Sequence, residues 1–93
     1  MRTFDRTTAF KRDYKRELKG RHKATLDADL ITVLGALVAD QPLSAKHRDH
    51  ELTGDMGGYR DCHIKPDLLL IYQKSGLDSL CLVRLGSHSE LFG

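Results

Sequence analysis

The sequence predicts an α+β fold, with a helix hairpin laid on one face of an antiparallel sheet of about four strands. Three observations carry that prediction. Apolar residues recur at helical spacing in two segments, Phe10, Tyr14 and Leu18 and then Leu26, Leu30, Val33, Leu34, Leu37 and Val38. Three short apolar or alternating runs follow between Tyr59 and Leu85, separated only by turn residues. A chain of 93 residues builds one thin core, burying roughly 60–65% of its unfolded surface, so residues 1–93 read as a single domain.

Met1 to Arg6 alternates in part and suits an edge strand anchored by Phe4. Thr7 or Thr8 can cap the first helix and Gly20 can stop it. The second helix runs from about Lys23 or Thr25 to Ala39, with Asp27 and Asp29 near its positive N-terminus. It must end before Pro42, because the proline drives the preceding residue out of helical conformation. With only Gly20 to His22 between them, the two helices are expected to lie antiparallel.

From Leu43 to Gly58 periodicity fails, and the chain reads as a long loop with at most a turn of helix. A loop of that length in so small a domain is usually functional. Strands are expected at Tyr59 to Ile64, Leu68 to Gln73 and Leu80 to Leu85, and their short connections imply a meander. In the last strand Cys81, Val83 and Leu85 are assigned to the core, which turns Arg84 onto the open face. The tail after Gly86 has room for a helical turn.

Composition narrows the function classes. No apolar run approaches the ~20 residues that span a membrane, and Met1 to Phe10 lacks the apolar stretch of a signal peptide. A cytoplasmic protein is expected, with Cys62 and Cys81 reduced and buried and a disulfide between them disfavoured. The net charge of +2 hides an asymmetry: residues 1–25 carry nine Lys/Arg against three acids, net +6, and the remainder six against ten, net −4. A basic N-terminal third with Lys11, Lys15 and Lys19 on its helix is a footprint for a polyanion, set against the plainer reading of a solvated face.

If Tyr59 to Ile64 is extended, Tyr59, Asp61 and His63 share one face and place an acid beside an imidazole. His50 and His88 bracket that strand in the sequence, and a fold that gathers the three histidines makes a general acid/base site. A lone histidine is more often structural, and His22 in the helix turn is read so. His47 and His50 could share a helical face as a metal pair, but two histidines without a third ligand are a weak signal. No metal and no cofactor are expected.

These residues resemble, in order and in spacing, the YafQ branch of the RelE/ParE family of bacterial toxins. The resemblance covers nearly the whole chain. It is carried by Lys46-His47-Arg48-Asp49-His50-Glu51-Leu52-Thr53-Gly54, by Gly58-Tyr59-Arg60-Asp61-Cys62-His63-Ile64-Lys65-Pro66-Asp67, by Ile71-Tyr72, and by Gly86-Ser87-His88 with Leu91-Phe92-Gly93. It implies a RelE-like fold and an mRNA endoribonuclease that acts on ribosome-bound message without a metal. It also implies silencing by a cognate antitoxin, with operator DNA touched only through that complex. Carried over by motif, the catalytic residues are His50, Asp61, His63, Asp67 and His88, with Phe92 against the RNA and Arg84 near the scissile phosphate. The rival readings are a non-enzymatic gyrase inhibitor of the ParE kind and an inactive relative that only binds antitoxin. The histidine set favours the nuclease, since a binding-only toxin has no need of it.

Overall fold

The structure is a computed structural model that describes residues 1–93. Its order is β1 (Thr3–Arg6), α1 (Thr8–Glu17), α2 (Leu26–Val38), β2 (His50–Glu51), β3 (Arg60–Lys65), β4 (Leu68–Ser75), β5 (Ser79–Gly86) and α3 (His88–Phe92). The five strands form one sheet in the order β1-β5-β4-β3-β2. Strands β2 to β5 are joined antiparallel, and β1 runs parallel to β5.

Helices α1 and α2 pack on one face, where Phe10, Leu26, Leu30, Val33 and Leu37 meet Cys62, Ile64, Leu68, Leu70, Tyr72, Leu80, Leu82 and Leu85 in one apolar cluster. Thr7 caps α1 by accepting from the Phe10 N–H at 2.9 Å. The helix stops at Leu18, which is left partly exposed instead of closing the apolar stripe. No helix is long and apolar enough to cross a membrane.

Against the expected count of about four, the sheet has five strands, because the polar loop contributes the two-residue β2 between two single 3₁₀ turns at Ala45–His47 and Gly54–Met56. A strand that short has no alternation to read. Three expectations are corrected. Phe4 does not anchor β1, since every residue of that strand is exposed. Arg2 does so instead, reaching Asp40 at 2.8 Å and the carbonyls of Gly76 and Ser79 at 3.0 and 2.9 Å. In β5 the core residues are Leu80, Leu82 and Leu85, with Cys81 and Val83 only half-buried. The pairing slips where Tyr72 faces Leu82 but Ile71 faces Arg84, so Val83 is an extra residue and the inward parity changes there. Arg84 is turned to the open face all the same. Cys62 is buried, whereas Cys81 is half-buried, and both are free thiols.

The upper half of β5 has no strand beyond it, and α1 serves as its edge. Thr7 Oγ1 donates to the Val83 carbonyl at 2.7 Å. The Leu85 N–H donates to Asp13 at 3.0 Å, and Arg16 donates to the Leu85 carbonyl at 2.7 Å. Side chains thereby complete the bonding that a neighbouring strand would supply, which removes an exposed edge.

Candidate functional site

Directly opposed residues in neighbouring strands share a face, and the pairing His50–Asp61–Ile71–Arg84 crosses four strands on the face away from the α1–α2 hairpin. The neighbouring row, His63–Leu69–Gly86, runs into the tail that holds His88 two residues further on. Leu69 and Ile71 are buried but lie outside the main cluster, forming an apolar floor between these polar groups.

Asp61 is the centre. Only 4% of it is exposed, and its Oδ1 is buried with no hydrogen-bond donor. His50 Nδ1 stands 3.3 Å from that oxygen. Burial raises the Asp61 carboxyl above its ordinary range, while His50, His63 and His88 all lie close enough to pull it back down electrostatically. Of the three histidines expected to gather, His50 stands in contact with this carboxylate, and His63 and His88 act on it through their charge at longer range.

Backbone carbonyls orient two of the rings. His50 Nδ1 lies 2.8 Å from the carbonyl of Arg48, and His63 Nδ1 lies 3.2 Å from that of Pro66. A carbonyl accepts only, so each Nδ1 carries its proton and each neutral ring presents an Nε2 lone pair. Arg48 reaches this position with a left-handed backbone, φ 48°. His88 opens α3, whose capping box joins Ser87 and Glu90 reciprocally. Its ring tilts against half-exposed Phe92 with centroids 5.1 Å apart.

Other candidates lie apart from this cluster or are engaged elsewhere. Asp67, in the β3–β4 turn, accepts from His22 Nε2 at 3.0 Å and pairs with Arg21, tying the turn to the helix hairpin. His22 thus has a structural partner. Arg84 bends toward α1, where its Nε meets Asp13 at 2.6 Å. Lys11 and Lys15 are exposed on α1, whereas Lys19, expected on the same helix, is exposed in the turn beyond it, because the helix already ends at Glu17. The first two stand at the rim of an apolar groove of about 640 Å³ whose lining includes Phe4, Leu18 and Ile31. His47 shares no helical face with His50, since Arg48 turns the chain between them, and its Nδ1 meets the His63 carbonyl at 2.6 Å instead.

Two groups of residues escaped the sequence reading. Asp13, on a charged helix, reads as solvated, yet it is as buried as Asp61 and accepts from Arg16, Arg84 and the Leu85 N–H. Tyr72 and Arg60 converge on Asp49, one residue before His50. The available signal is a tyrosine that ends the apolar run of a core strand and whose hydroxyl must find a partner.

A family model of YafQ, a bacterial toxin of type II toxin–antitoxin systems, matches residues 2–93. The mRNA interferase toxin YafQ of Escherichia coli is 37% identical over 82 residues, which are 86% of this chain and 88% of that one. A crystal structure of YafQ from Escherichia coli aligns over 100% of both chains with a TM-score of 0.85 and 33% identity. A chain of the Escherichia coli DinJ–YafQ complex does so over 100% of both with a TM-score of 0.81 and 30% identity.

Proposed function

The chain belongs to the YafQ family of type II toxin–antitoxin toxins, and on that premise we propose that it is an mRNA endoribonuclease that cuts message on the ribosome by metal-independent acid/base chemistry. The observation that supports this most is His50 Nδ1 standing 3.3 Å from the buried, donorless carboxylate of Asp61, with His63 and His88 within its electrostatic reach. Relatives named mRNA interferase toxins share the fold over its full length.

Cleavage needs a base for the 2′-hydroxyl proton, an acid for the departing 5′-oxygen and cations for the phosphorane. His50 Nε2 takes the proton, because its Nδ1–H is committed to the Arg48 carbonyl. The freed 2′-oxygen attacks phosphorus and the P–O5′ bond breaks, leaving a 2′,3′-cyclic phosphate. The 5′-oxygen departs with a proton from the His88 imidazolium. His63 faces the phosphate beside them. Arg84, about three strand spacings or roughly 14 Å from His50 along its row, supplies charge at the far side after exchanging Asp13 for phosphate. Phe92, half-exposed beside His88, stacks on a base of the message. Asp67 supports the site by holding the β3–β4 turn against Arg21 and His22.

The partners follow from the same reading. A cognate antitoxin silences the toxin, as DinJ accompanies YafQ in the Escherichia coli complex. An acidic, partly apolar antitoxin segment suits a groove floored by Phe4, Leu18 and Ile31 and rimmed by Lys11 and Lys15. The lysines of α1 also meet phosphates of the ribosome.

The test is primer extension on a translated reporter message after brief expression of wild type, His63→Ala and His88→Ala. In-frame cuts in the wild type, lost in both variants with unchanged circular dichroism, are expected. Growth arrest with messages intact would overturn the nuclease reading and favour a gyrase-type inhibitor. No arrest would point to an antitoxin-binding relative.

A further inference from the structure

The ring of Tyr72 is 1% exposed and belongs to the main core, but its hydroxyl leaves the core. That hydroxyl donates to Asp49 Oδ1 and accepts from Arg60 Nε at 3.3 Å. Arg60 grips the same carboxylate, with Nη2 3.0 Å from Oδ2 and Nε 3.4 Å from Oδ1, and its Nη1 lies 3.4 Å from Glu51. Asp49 and Glu51 are the two residues flanking His50. Both neighbours of the proposed base are therefore tied to β3, and Asp49 is also bonded directly to a buried phenol of β4.

Little else holds His50. Its strand has only the pairs His50–Asp61 and Glu51–Arg60, followed by the Leu52 N–H to Tyr59 carbonyl bond at 2.9 Å. A two-residue strand at a sheet edge is free to fray, and a displacement of about 1 Å at a catalytic group costs on the order of a hundredfold in rate. Because Tyr72 is locked by core packing, its hydroxyl is a fixed point from which the loop can be set.

We propose that Tyr72, Asp49 and Arg60 are positioning residues that hold His50 against Asp61 with its Nδ1–H on the Arg48 carbonyl and its Nε2 free. This rests on the reading of His50 as base. Tyr72 acts through Asp49 and touches no substrate.

The test combines single-turnover cleavage on ribosomes programmed with a message carrying every sense codon and long-range ¹H–¹⁵N correlation of the histidine rings. Tyr72→Phe and Asp49→Ala are expected to cut about tenfold more slowly with ribosome affinity unchanged. His50 should pass from one Nδ1–H tautomer to a mixture in both. Asp49→Asn, which keeps an acceptor for the Tyr72 hydroxyl, should recover most of the rate lost in Asp49→Ala. If Tyr72→Phe and Asp49→Ala keep the single tautomer and the wild-type rate, or lose only thermal stability, the proposal is overturned. If Tyr72→Phe fails to fold, the Asp49 pair decides alone. Full cleavage by His50→Ala would remove His50 as the base, yet the tautomer would still report whether Tyr72 and Asp49 position it.

Discussion

Asp13 and Asp61 are equally buried, each 4% exposed, and they titrate in opposite directions. For Asp13, burial pushes the carboxyl up, but hydrogen bonds from Arg84 and the Leu85 N–H, with the charges of Arg84 and Arg16, outweigh it and hold the group below its ordinary range. For Asp61, burial outweighs the pull of the nearby histidines, because one oxygen lacks a donor and the Asp49 carboxylate adds repulsion. Burial alone does not mark a site. The satisfied aspartate closes an edge of the sheet, and the unsatisfied one is available to do chemistry.

The strongest way to break this contrast is Asp13→Ala. It strips the Leu85 N–H of its partner and leaves Arg84 and Arg16 without their shared anion, at a cost of about 3 kcal/mol, since both arginines can turn to water. Thermal melting should fall by roughly 15 °C. A fall of only a degree or two would mean that the α1 edge contributes little. The pH dependence separates the two acids. With its folded pKa depressed, Asp13 stabilises above the unfolded value near 3.9 and loses that contribution as pH falls through the folded value.

Asp61 has the opposite sign. Its folded pKa is raised, so stability is present below about 3.9 and declines as pH rises through the folded value. Asp61→Asn removes the buried charge and should raise stability at neutral pH by about 1 kcal/mol, while cleavage drops about a hundredfold. Denaturant melts at pH 4 and pH 7 should converge relative to wild type. A destabilised Asp61→Asn would show that the histidines already compensate the charge.

How much of this was legible in the sequence follows the same division. Leu26, Leu30, Val33 and Leu37 announce α2 because a 3.6-residue period lands each of them in the core. The candidates His50, Asp61, His63 and His88 were named by motif, and of them the structure sets His50 directly against Asp61. The β5 bulge at Val83 was not, because one inserted residue changes facing without changing composition. Nor was Asp13, whose partners lie 71 and 72 positions away in the chain. What escapes the sequence is long-range polar pairing, which leaves no period behind.

Gly86→Ala joins the two regions. A Cβ there would stand 2.7 Å from Arg16 Nη2, 3.2 Å from Glu90 Oε1 and 3.3 Å from Leu91 Cδ2. Arg16 binds Asp13 and the Leu85 carbonyl on one side and Glu90 of α3 at 3.1 Å on the other. The added methyl should displace that strut at about 1 kcal/mol and slow cleavage by moving His88. Lost stability with normal cleavage would show that the tail is set by its own capping box.

The smallest effect on stability is expected at Lys11, Lys15 and Lys19. Lys11 and Lys15 share α1 with Asp13 and Arg16 and Lys19 follows in the turn after it, but none makes an ion pair. Replacing all three by alanine should change folding free energy by no more than about 0.5 kcal/mol, as for surface sites without partners. The readout is ribosome binding against salt. Each phosphate that a lysine no longer neutralises lowers the slope by about 0.7 to 0.9, so the triple variant should flatten it by roughly two. One face of α1 then serves the fold and another serves the ribosome, with separate readouts. If the slope is unchanged but the variant escapes its antitoxin, the lysines belong to the rim of the apolar groove alone.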